Sequence, residues 1–139
     1  MDINYLAIGL AALAAFFLGF VWYTILFAKP WQNLIGMGAK DTVEKGTGLD
    51  STADTPSLGR LLIGSLILEL IMAFILAWHL GTGAGWMTGL VTGALVGVVV
   101  ALAFGVNYLF EGKPLRLWFI NGTYNLVVFA AMGAIIGAF

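Results

Sequence analysis

The chain reads as an all-α membrane protein, a bundle of four transmembrane helices with both termini outside. Three observations predict this. Of 139 residues, 61% are hydrophobic and 9% charged, a balance suited to lipid rather than water. The apolar residues fall into four stretches, each at or above the roughly 20 residues that cross a bilayer core, with no strand-like alternation. All six basic residues, Lys29, Lys40, Lys45, Arg60, Lys113 and Arg116, lie in or beside the first and third connections. With four spans these connections share a side, and the positive-inside rule makes that side the cytoplasm. A multi-pass protein of the cell membrane follows, one membrane domain over residues 1–139. The absence of Cys excludes disulfides, thiolate chemistry and Cys-ligated metals. No basic surface points to nucleic acid, and no motif calls for a cofactor.

The first span covers residues 4–28. It follows Met1-Asp2-Ile3-Asn4, and no positive charge precedes Lys29, so it reads as a retained span rather than a cleaved signal. Ala12, Ala15 and Gly19 give it a small face, with Phe16, Phe17 and Phe20 as bulk elsewhere. Its end carries Trp22, Tyr23, Phe27, Lys29, Pro30 and Trp31. Belt and packing roles for these aromatics outweigh an aromatic binding wall, Lys29 reaches headgroups, and Pro30 marks where the helix stops. Residues 31–57 form a polar cytoplasmic loop, with Trp31, Leu34, Ile35 and Met37 as a short interfacial segment. The acidic and basic residues from Lys40 to Asp54 have no metal-ligand spacing and read as solvated.

The remaining spans cover residues 58–80, 84–109 and 115–139. A tight Gly81-Thr82-Gly83 turn makes the second and third antiparallel neighbours, and Glu111-Gly112-Lys113-Pro114 turns the third into the fourth. Gly85, Gly89, Gly93, Gly97, Ala101 and Gly105 recur every four residues in the third span. Small residues at this spacing let another helix approach closely. Five steps of four residues rotate such a stripe by roughly 200° on a straight helix. Gly85, Gly89 and Gly93 are therefore expected on one neighbour, and Gly97, Ala101 and Gly105 on another or across a homo-oligomer interface. Gly133 and Gly137 repeat the pattern late in the fourth span.

An internal echo links the first and third spans. Gly19, Trp22-Tyr23, Leu26-Phe27 and Lys29-Pro30 have counterparts in Gly105, Asn107-Tyr108, Leu109-Phe110 and Lys113-Pro114, with gaps. A parallel repeat of two helix pairs explains it, and so do similar interface demands met twice. The chain also resembles the small integral membrane proteins grouped as domain of unknown function 1761. The resemblance rests on Gly19-Phe20-Val21-Trp22-Tyr23, on Phe27-Ala28-Lys29-Pro30-Trp31 with Gly36 following, on Phe110-Glu111-Gly112-Lys113 leading to Phe119-Ile120-Asn121-Gly122, and on Met132-Gly133-Ala134-Ile135. Pro30 and the long polar loop depart from the pattern. The resemblance supports four spans and transfers no catalytic role.

Glu69 is the sharpest candidate for function, because a carboxyl at mid-bilayer is costly and desolvation favours its neutral acid. Ser65 lies one turn away on nearly the same face. Glu69 and Asn125 sit at matching depths, roughly 15 Å from the ends of their helices. Tyr124 is near that level, Asn121 one turn away, and Asn107 near the end of the third span. Together they outline either a polar cleft descending to a proton or cation site or a set of separate interhelical hydrogen bonds. His79, beside Trp78, reads as a boundary residue, and the Asn121-Gly122-Thr123 sequon lies inside a span. Three functions compete. The first is an oligomeric proton-coupled or ion-coupled carrier of a small polar or cationic solute. The second is a noncatalytic membrane scaffold or accessory subunit. An intramembrane enzyme is least favoured, since metal motifs, Cys and paired catalytic carboxylates are all missing.

Overall fold

A computed structural model describes residues 2–27, 29–30 and 58–139. Within them lie four helices long and apolar enough to cross a membrane. The expected loop at 31–57 and its interfacial segment lie outside the described residues.

Helix α1 spans Tyr5–Val21. Asn4 caps it, its Oδ1 accepting the Ala7 N–H at 3.1 Å and satisfying one of the unpaired donors of the first turn. The helix then widens into a π-helical turn, Trp22–Leu26. The Phe27 N–H reaches back five residues to the Trp22 carbonyl at 2.9 Å, and the Thr24 hydroxyl donates to the Phe20 carbonyl. The regular α-helix therefore ends at Val21, well before Pro30, because the ladder changes register at Trp22.

Helices α2 (Leu58–Leu80), α3 (Trp86–Glu111) and α4 (Leu115–Ala138) complete the chain. Between α2 and α3, Gly81, Gly83 and Gly85 take φ of 68°, 76° and 92°, left-handed values that only glycine adopts without strain. Between α3 and α4, Gly112 at φ 68° ends the helix. The Lys113 N–H returns to the Tyr108 carbonyl at 2.9 Å, and Pro114 follows, a Schellman closure that allows a very short hairpin.

Helix α4 is the common partner. Helix α1 packs on α2 and α4, α2 also touches α4, and α3 packs essentially on α4 alone. The core joins Ile8, Ala11, Ala12 and Ala15 of α1, Ala73, Leu76 and Ala77 of α2, and Val128, Met132 and Ile136 of α4. Alanines on two of three helices let backbones approach, and the larger side chains of α4 fill the space left. Although consecutive, α2 and α3 share no substantial interface, so the Gly81–Gly83 turn does not make them packed neighbours. Three glycines in left-handed conformation carry the chain across, and the small face of α3 is already occupied by α4.

That face departs from the expected division between two partners. Gly85, Gly89 and Gly93 lie against Gly137, Gly133 and Phe129. A Cβ on Gly97 would fall 2.7 Å from the Leu126 Cα, and one on Gly105 would fall 2.9 Å from the Trp118 indole nitrogen. The whole stripe is thus covered by α4. Backbone meets backbone as far as Gly97. Beyond it, where the stripe has rotated away, the Trp118 side chain bridges the gap, its Nε1–H donating to the Ala101 carbonyl at 2.7 Å. At the opposite end the Gly85 N–H donates to the Gly137 carbonyl at 2.9 Å. The outer face of α3, including Leu95, Val99, Leu102 and Val106, is exposed and suits contact with lipid.

Candidate functional site

Near the hairpin end of the bundle, α1, α3 and α4 are joined by side chains rather than by close backbones. Asn121 on α4 is the hub. Its Oδ1 accepts from the Tyr23 hydroxyl at 2.6 Å, and its Nδ2 donates to the Tyr108 hydroxyl at 2.6 Å. Tyr23 belongs to the π turn and Tyr108 to the last turns of α3, so one amide satisfies two helices at once. Beside it the Trp22 indole donates to the Ile120 carbonyl at 3.2 Å. The polar ends of Trp22 and Tyr23 therefore face α4, which makes these residues interhelical ties rather than a belt turned to headgroups.

Tyr124 lies one turn along α4. Its ring centre is 5.0 Å from that of Tyr23 and 6.2 Å from that of Trp22. Gly19 makes room for it, since a Cβ there would sit 2.8 Å from the Tyr124 hydroxyl. On the far side of Tyr108, Lys113 Nζ stands 4.9 Å from the ring centre and 2.9 Å from Glu111 Oε2. The hydrogen bond that the Lys113 ammonium donates to Glu111 holds its proton more tightly than usual, raising its pKa.

Glu69 enters from α2. It is 6% exposed, and its Oε2 finds no hydrogen-bond partner among the described residues. A buried carboxyl oxygen without a partner is uncommon and costly. It is suited to taking up and releasing a proton or to holding a cation. Among the described residues no group of three His, Asp or Glu gathers to hold a metal.

The residues singled out from the sequence separate into two groups. Asn121 and Tyr124 meet Tyr23 in the junction, and Glu69 is buried on α2. Asn125 uses its Nδ2 on the Asn121 carbonyl of its own helix at 2.8 Å. Ser65 is exposed and donates to the Leu61 carbonyl at 2.7 Å, so it does not serve Glu69. Asn107 is exposed. Asn125 and Ser65 thus spend these hydrogen bonds on their own helices. Sequence reasoning missed Gly19, Tyr23 and Tyr108 as partners of α4. The internal echo was their signal: Gly19 and Gly105 each admit an aromatic ring of α4, and Tyr23 and Tyr108 both bond Asn121. The spacing is four residues in α1 and three in α3, and the π turn supplies the extra residue.

Four apolar helices, tied by glycine contacts at one end and by an aromatic-amide junction at the other, define a small multi-pass integral membrane protein. Residues 6–137 match the family described as Protein of unknown function (DUF1761), and the chain belongs to that family. No curated protein and no solved structure matches it. Two of the segments that carry the resemblance meet in space: Gly19, Trp22 and Tyr23 from the first, and Glu111, Lys113 and Asn121 from the third.

Proposed function

We propose that this protein is a small proton-coupled or ion-coupled carrier of a polar or cationic solute, working as a homo-oligomer, with Glu69 as its exchange site. The observation that carries this reading is the buried Oε2 of Glu69, which has no hydrogen-bond partner among the described residues. Protonation in place of cation binding is the simplest way for one carboxyl to couple two fluxes. The pathway is placed between copies because Ser65 and Asn125 are hydrogen-bonded within their own helices and Asn107 is exposed. The segregation of the basic residues supports an orientation with the first and third loops in the cytoplasm and both termini outside. No catalytic step is assigned, and the protein is read as a non-enzyme.

The test is solute flux in proteoliposomes with and without a proton gradient. Glu69→Gln keeps shape and hydrogen bonding but removes titration, so it abolishes gradient-driven flux while the protein stays folded by size analysis. Normal flux in that variant rejects the proposal. A scaffold role is the second reading, favoured by the tie from Tyr23 through Asn121 to Tyr108, which is what a rigid noncatalytic subunit needs. It predicts no flux from the parent protein and loss of partner capture when the tie is cut.

A further inference from the structure

Helices α3 and α4 enclose a groove of about 240 Å³ that opens sideways, bounded by Val98, Ala101 and Leu102 on one side and Trp118, Phe119 and Leu126 on the other. We propose that it holds an acyl chain of an anionic phospholipid whose phosphate is bound by Arg116. The groove follows from the way the two helices meet. They touch backbone to backbone up to Gly97, and beyond that point Trp118 wedges them apart. The single polar atom of the wedge is spent on the Ala101 carbonyl, so the indole offers the groove an apolar surface. Gly122, whose missing Cβ would lie 3.4 Å from that of Ala101, keeps the floor open.

Charge selects the headgroup. Arg116 precedes Phe119 by three residues and Thr123 by seven, which puts all three on one face of α4, with Arg116 about 4.5 Å beyond Phe119 along the axis. It is exposed, one turn beyond the groove-lining Phe119 on the same face of α4. Lys113 is engaged with Glu111 and the Tyr108 ring, and that pair cancels its own charge, leaving the Arg116 guanidinium as the local excess. A guanidinium binds phosphate with two parallel hydrogen bonds, and basic side chains beside transmembrane helices attract anionic lipid. A second copy packed on this same face about a two-fold axis along the membrane normal would bring Arg116 towards Arg116, a like-charge approach. A zwitterionic lipid offers the same chain but no net charge to answer Arg116.

The experiment purifies the full chain from vesicles of equal phosphatidylglycerol and phosphatidylcholine and measures the retained lipids by native mass spectrometry. The parent retains phosphatidylglycerol in preference. Arg116→Gln lowers that retention about fivefold, Arg116→Lys keeps most of it, and Thr123→Trp, which fills the groove, lowers retention of both lipids. Lys29→Gln makes the same charge change away from the groove and leaves retention unaltered. Equal retention of the two lipids by the parent overturns the proposal. So does unchanged retention in Arg116→Gln, or a loss in Lys29→Gln as large as in Arg116→Gln. Disulfide-linked dimers of Thr123→Cys formed in the vesicles overturn it as well, by giving the groove to a second copy.

Discussion

Replacing Tyr23 by Phe removes one hydroxyl and leaves the ring against Tyr124. The lost hydrogen bond to Asn121 costs about 0.6 kcal/mol by the average for membrane proteins. Asn121→Leu cuts the ties to Tyr23 and Tyr108 together and is expected to cost more than either tyrosine change alone. A double-mutant cycle on thermal stability in detergent measures the coupling, and independent effects of Tyr23→Phe and Asn121→Leu would contradict a shared hub. Gly19→Ala tests the neighbouring contact. Its new methyl meets the Tyr124 hydroxyl at 2.8 Å, so the variant is less stable than the parent, and adding Tyr124→Phe restores part of the loss. The prominence of Glu69, Asn121 and Tyr124 is legible from residue type and depth. The partners of Asn121 are not, because which side chains it reaches depends on how α4 is rotated and on a π turn that sequence spacing does not announce.

For helices the decisive quantity is how closely two backbones approach. Gly89→Leu or Gly93→Leu inserts a side chain where α4 leaves no room, and the expected loss is on the order of 1–3 kcal/mol or more. Leu95→Ile, on the exposed face of the same helix, leaves the melting temperature within experimental error. Parent-like melting of both bulky variants would remove the basis for the α3–α4 pairing. The four-residue period makes the stripe visible in the sequence. Its partner is harder to read, since an estimate from straight helices overlooks a long side chain that covers what the backbone cannot. Trp118 does this at Gly105, and so one helix suffices where two were expected.

In the whole molecule, the two ends of the bundle differ in chemistry, and the proposed orientation, drawn from the placement of Lys and Arg, can be tested directly. Cysteines introduced at Gly83 and at Met1 should react with an impermeant thiol reagent in intact cells, and one at Gly48 only after permeabilisation. Labelling of Gly48→Cys in intact cells would invert the topology. The number of spans and their approximate positions are legible from hydropathy. The central place of α4 is not, because each helix is apolar enough to sit anywhere in the bundle and only shape decides. That central place bears on biogenesis. Helices α1 and α2 leave the ribosome before the segment carrying Val128, Met132 and Ile136 exists, and Glu69 waits in the membrane before the bundle that buries it is complete. Until the last helix arrives, the first half is an unfinished surface with an unshielded carboxyl. A chain cut after Pro114 is therefore expected to insert and then be degraded, and pulse-chase labelling would follow its lifetime against that of the full chain.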